Sequence, residues 1–119
     1  MRNKKSLRKV LVYTLLMTLL LNIYSATSSA AVLSASGSSF TEPWERYKAS
    51  TDGKASLTYG YNVFAINEDY SWASHSTNNH YAALNNGNGS FAGPNAGGAS
   101  VSKIEVTHAG TSVSYYNYY

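Results

Sequence analysis

No cysteine occurs anywhere in the 119 residues, which excludes disulfide staples, thiolate metal sites and thiol nucleophiles. Proline is down to two residues, Pro43 and Pro94, and charged side chains make up 13% of the chain. No apolar run is long enough to span a bilayer. The longest covers residues 10–21 and reaches 14 residues if stretched to Ile23, where a spanning helix needs about 20. Beyond that run, helix-type periodicity is nearly absent.

The short run belongs to a different pattern. Arg2, Lys4, Lys5, Arg8 and Lys9 precede it with no acid among them, and small residues ending in Ser28-Ser29-Ala30-Ala31 follow it. A cationic start, a short apolar centre and a small-residue end, in that order, read as a cleavable secretory signal over residues 1–31. The cut is expected after Ala31, with Ala30 as the alternative, so the protein is expected to be secreted by the Sec machinery and to work outside the cell.

Removing that segment reverses the charge. The whole chain is formally +3. Residues 32–119 keep four cations (Arg46, Lys48, Lys54, Lys103) against six acids (Glu42, Glu45, Asp52, Glu68, Asp69, Glu105), a net −2 with histidine neutral. A nucleic-acid binder needs a basic face and a lytic peptide needs a cationic amphipathic helix. Neither is present, so neither class is expected. What the mature chain has in quantity is aromatic area, with nine Tyr, two Trp and three Phe. Each buries a large surface on few torsions, which suits a small domain without disulfides.

Residues 32–56 read as a flexible lead segment or propeptide. They hold a Ser-rich linker over 34–39, a turn or helical turn over 40–47, and a Thr-Asp-Gly-Lys turn at 51–54. From Leu57 the alternation turns to β. Residues 57–66 set Leu57, Tyr59, Tyr61 and Val63 on one face, with Gly60 marking a bulge or a close backbone contact. Residues 70–74 and 80–84 are shorter strands about a polar turn. Residues 85–100, with five Gly, four Asn and Pro94, read as a loop. Residues 100–107 and 111–119 read as a hairpin turning at Ala109-Gly110, with Ile104, Val106 and His108 on one side and Lys103, Glu105 and Thr107 on the other. The sum is an all-β domain over residues 57–119, a small antiparallel β-sandwich of about five or six strands.

Few residues carry the marks of catalysis. His75 and His80 lie five apart with no acid beside them, so loop and strand-end histidines are expected rather than metal ligands. Ser71, His75 and Asp69 supply the residue types of a hydrolase triad but no nucleophile setting. The carboxylate pairs Glu68-Asp69 and Glu42/Glu45 sit in segments read as polar and exposed, with nothing to split their pKa values. The glycine-rich stretch lacks the lysine and spacing of a phosphate loop. No enzyme activity, metal or cofactor is expected. The tyrosine-rich end, Ser114-Tyr115-Tyr116-Asn117-Tyr118-Tyr119, is the most unusual segment: alternate residues point to opposite sides of a strand, so it can fill a core and present a sticky face together.

The block from Asp69 through Trp72, His75 and His80 to Leu84 resembles the central segment of the lactococcin 972 type bacteriocins, where a Tyr-Ser pair leads to one His and then a second before a short apolar strand. Tyr59-Gly60 resembles that family's Tyr-Gly motif, residues 101–106 its lysine-bearing strand, and the aromatic terminus its close. The resemblance implies a Sec-exported, cysteine-free β-sandwich. It implies further an antibacterial protein that binds the cell-wall precursor lipid II, blocks septum formation without making pores, and is accompanied by membrane immunity or transporter proteins of the producer. Tyr59, Gly60, Tyr70, Trp72, His75, His80, Tyr115, Tyr116, Tyr118 and Tyr119 are then expected to build the fold or the contact surface. The rival expectation is a secreted structural or adhesive β-module without killing activity.

Overall fold

The computed structural model describes residues 31–119, which form one compact unit; the signal-like segment up to Ala30 lies outside the described residues. Eight strands make up the unit: β1 (Val32–Gly37), β2 (Trp44–Ala49), β3 (Ala55–Asn62), β4 (Glu68–His75), β5 (Tyr81–Asn86), β6 (Gly89–Ala92), β7 (Val101–Thr107) and β8 (Val113–Tyr118). They form two antiparallel four-stranded sheets, ordered β1-β8-β5-β6 and β2-β3-β4-β7. The fold is an all-β sandwich, as the alternation predicts, with more strands than the five or six expected.

The extra strands come from segments read as unstructured. The supposed linker is β1, paired along its length with β8, and Ala31 and Tyr119 extend the ladder by exchanging backbone hydrogen bonds of 2.8 and 3.0 Å. The supposed helical turn is β2, an edge strand on β3. Residues 32–56 are therefore built into both sheets. The glycine-rich stretch contributes β6, which folds back on β5 through Gly87-Asn88. The expected hairpin of residues 100–119 is not one: β7 pairs with β4, whereas β8 crosses to the other sheet and lies between β1 and β5. The sequence of residues 109–112 suits a turn, but strand partners are chosen by faces rather than by proximity alone.

The core is small and aromatic. Leu57, Tyr59 and Tyr61 point inward from β3, Val113 and Tyr115 from β8, Leu33 from β1 and Leu84 from β5. Trp44 closes one side, its ring 5.9 Å from Tyr115 and 6.0 Å from Tyr59, both edge-on. It fits because Gly37 has no side chain there: a Cβ would lie 2.5 Å from the indole. Gly60 is the close contact its position predicts, since a Cβ would run into the Trp44 carbonyl and sit 2.7 Å from the Tyr70 hydroxyl oxygen.

Polar side chains tie one sheet to the other. Ser71 Oγ on β4 donates to the Tyr116 carbonyl at 3.2 Å, and Asn117 Nδ2 on β8 donates to the carbonyls of Ser56 and Ser74 at 2.8 and 2.9 Å. Ser102 Oγ on β7 accepts from the Ala82 amide at 3.0 Å and donates to Pro94 O. Tyr115 Oη donates to the Gly60 carbonyl at 3.3 Å. Buried hydrogen bonds of this kind fix one mutual placement of the sheets, a task disulfides perform in many small domains.

Candidate functional site

The residues singled out by sequence separate into three places. Tyr59, His75 and Tyr115 are buried between the sheets. His75 Nδ1 accepts the amides of Thr77 and Asn78 at 3.1 and 2.8 Å, and Tyr119 lies over its ring at 5.0 Å. His80 is equally buried and holds Asn78 O through Nδ1 at 2.9 Å. Both histidines thus organise the connection between β4 and β5. Among the described residues no group of three His, Asp or Glu side chains is placed to hold a metal ion.

The second place is the outer face of the β2-β3-β4-β7 sheet. β4 reverses the usual pattern: Asp69, Ser71 and His75 point inward, and Tyr70 and Trp72 point outward. Tyr70 is nonetheless buried, because its ring lies over Gly60 and its hydroxyl donates to Glu45 at 2.7 Å. Trp72 is covered by the Lys103 ammonium, 4.3 Å from the ring centre, and donates to Glu105 at 3.3 Å. Polar neighbours cap this aromatic pair.

Asp69 corrects the expectation of an exposed carboxylate. It is fully buried, and His108 Nδ1 donates to its two oxygens at 2.8 and 3.0 Å while Asn86 Nδ2 donates at 3.0 Å. Phe40 covers the imidazole, with ring centres 4.2 Å apart. The partner of Asp69 is therefore His108, not His75, and Ser71 is spent on a backbone carbonyl. The triad suggested by residue types does not assemble.

The third place is open. On the outer face of the β1-β8-β5-β6 sheet, Tyr118 lies opposite Tyr81, and Tyr116 opposite Ala83, which in turn lies opposite Ala92. One large residue followed by two small ones across adjacent strands leaves a groove. Its volume is about 310 Å³, and its lining adds Asn85, Ser90 and Phe91. The three tyrosines stack along one wall: Tyr81 and Tyr118 at 5.1 Å and 21°, Tyr116 and Tyr118 at 5.6 Å and 25°. Burial first, then the neighbouring Tyr116 and Tyr81, hold the Tyr118 hydroxyl above the usual tyrosine pKa, so at neutral pH it remains a hydrogen-bond donor. Tyr116 and Tyr118 were visible in the sequence as one face of the terminal strand, core or surface. Tyr81, Ala83, Asn85, Ser90 and Ala92 were not, because only the strand register brings them together.

The buried tyrosines give the fold an alkaline limit. Burial raises Tyr70, helped by Glu45, and burial raises Tyr115, helped by Asp69. Each holds its proton more tightly folded than unfolded. Their contribution is complete below the unfolded tyrosine value of about 10 and is lost as pH rises past it. Urea midpoints are expected to be flat between pH 7 and 9 and to fall steeply above 10, with a shallower fall in Tyr70→Phe.

The chain matches no protein-family model, and no curated protein or solved structure shows significant similarity to it.

Proposed function

We propose that the mature chain, residues 32–119, is an exported, non-enzymatic antibacterial protein that recognises lipid II on related bacteria and inhibits septum formation without making pores. The observation that carries this reading is the tyrosine groove. A stacked aromatic wall beside small residues, ending in Asn85 and Ser90, suits a sugar ring. The apolar C–H face of the sugar rests on a phenol ring, and its hydroxyl rim meets amide and hydroxyl groups. No Lys or Arg lines the groove, so the disaccharide of the precursor, rather than its pyrophosphate, is the part that fits. The resemblance of the Asp69–Leu84 block and the aromatic terminus to the lactococcin 972 type points the same way.

The test is saturable binding of residues 31–119 to lipid II in micelles, measured at low and high salt. Binding is expected to change little with salt, because no cation faces the ligand. Replacing Tyr116 and Tyr118 together by serine is expected to weaken it about tenfold or more, at roughly one stacking interaction per ring, with growth inhibition of related strains weakened in parallel. Absence of binding, with normal growth of every strain tested, overturns the proposal. Retention on the producer's own surface would then favour the adhesive module.

A further inference from the structure

The connection between β3 and β4 presents its side chains the wrong way round for a water-facing turn. Val63, Phe64, Ala65 and Ile66 form an unbroken apolar tip, and Val63, Phe64 and Ile66 are 44%, 99% and 52% exposed. The sequence reading placed Val63 in a longer strand, on one face with Leu57, Tyr59 and Tyr61, but β3 ends at Asn62. The tip is held at its base, where Asn62 Oδ1 accepts the Phe64 amide at 3.5 Å and the His108 amide donates to Asn67 O at 2.8 Å. A Phe with almost none of its surface covered, on an anchored loop, is a side chain set out for a partner.

We infer that this tip inserts into the interfacial layer of a lipid bilayer and seats the sandwich on a membrane surface. Two observations choose lipid over protein. The tip is convex and offers only three large side chains, a few hundred Å² at about 150–250 Å² for the largest, whereas a stable protein interface takes about 800 Å² from each partner. A fluid phase shapes itself around a protrusion and needs no matching pocket. The tip also projects only about two residues beyond the sheet, roughly 7 Å, which reaches the headgroup–acyl boundary and falls far short of the ~30 Å core. It can dock the protein and cannot perforate the membrane.

The charges around the tip set the lipid preference. Every turn at this end of the sandwich (residues 38–43, 63–67, 87–88 and 108–112) lacks Lys and Arg, while Glu42 lies in one of them and Glu68 opens β4. Attachment is therefore apolar and is opposed by an anionic surface. This is the reverse of a polybasic anchor.

Flotation of residues 31–119 with phosphatidylcholine vesicles, which contain no lipid II, tests the inference independently of the sugar-binding reading. Binding is expected to be insensitive to salt. With vesicles containing phosphatidylglycerol it is expected to be weaker at low salt and to rise as salt screens the repulsion, with no release of an encapsulated dye. Phe64→Ala is expected to reduce partitioning about tenfold with an unchanged urea midpoint, since the ring touches little of the fold. Phe64→Trp is expected to retain binding and to add a blue-shifted emission with vesicles. No binding to either lipid overturns the inference, as does undiminished binding of Phe64→Ala. Self-association that needs Phe64, without vesicle binding, would assign the tip to a second copy of the chain and overturns it too.

Discussion

Asp69→Ala is expected to destabilise the sandwich by about 3–5 kcal/mol, because it removes one partner from a buried, charge-bearing cluster. The carboxylate has no exposed surface, and three hydrogen bonds from His108 and Asn86 converge on it. Asn86 ends β5 in one sheet, Asp69 is the second residue of β4 in the other, and His108 follows β7, so the cluster clamps three elements at the loop end. A second N–H of Asn86 reaches the Thr107 carbonyl at 3.0 Å and would survive. The imidazole Nδ1 would lose its protein acceptor beneath Phe40 and Tyr61, whose rings lie 4.2 and 5.0 Å away. A domain of this size is stable by about 5–15 kcal/mol in total, so the loss should lower Tm by roughly 12–40 °C at about 4–8 °C per kcal/mol. Asp69→Asn keeps the shape and one acceptor, and should cost less. A urea midpoint for Asp69→Ala within 1 M of the native value would show that the cluster is not a clamp.

Tyr115→Ala is expected to cost a similar amount, about 3–5 kcal/mol, through the cavity it opens. Tyr115 is wholly buried, with Tyr59 5.0 Å and Trp44 5.9 Å away. It lies on β8 between Ala35 of β1 and Leu84 of β5, and both neighbours are held in the ladder, which limits collapse into its place. Tyr115→Phe removes only the bond to the Gly60 carbonyl and should cost about 0.5–1.5 kcal/mol. The contrast between the two substitutions, read by urea denaturation, separates packing from hydrogen bonding. Equal losses would mean that the hydroxyl, not the ring, holds this part of the core.

Much of the β character was legible because β3, β7 and β8 alternate as half-buried strands should. Leu57, Tyr59 and Tyr61 face inward, as do Ile104 and Val106, and Tyr115 and Tyr116 take opposite sides. What could not be read has physical causes. β1 is Ser- and Gly-rich and looks like a linker, but its Gly37 is the gap that admits Trp44. β4 carries its polar residues inward, where Asp69 and Ser71 each find a partner, so its binary pattern points the wrong way. The groove depends on which strand lies beside which: Tyr116 and Tyr118 were evident as sharing one face of a strand, but their meeting with Tyr81 and Ala83 requires β8 to leave β7 for the other sheet. Local sequence carries no trace of that choice.

The pairing of the first strand with the last has a consequence for the order of events. β1 finds its partner only when β8 exists, and β8 is also what holds β1 and β5 in one sheet. Until the final tyrosines emerge, one of the two layers has no central strand and cannot close. The β1-β8-β5-β6 layer therefore assembles only after β8 has been made, while the β2-β3-β4-β7 sheet does not wait for it. Loss of even the last few residues would leave an unfinished layer with two unpaired strand edges, a hazard for aggregation rather than a shortened version of the same molecule.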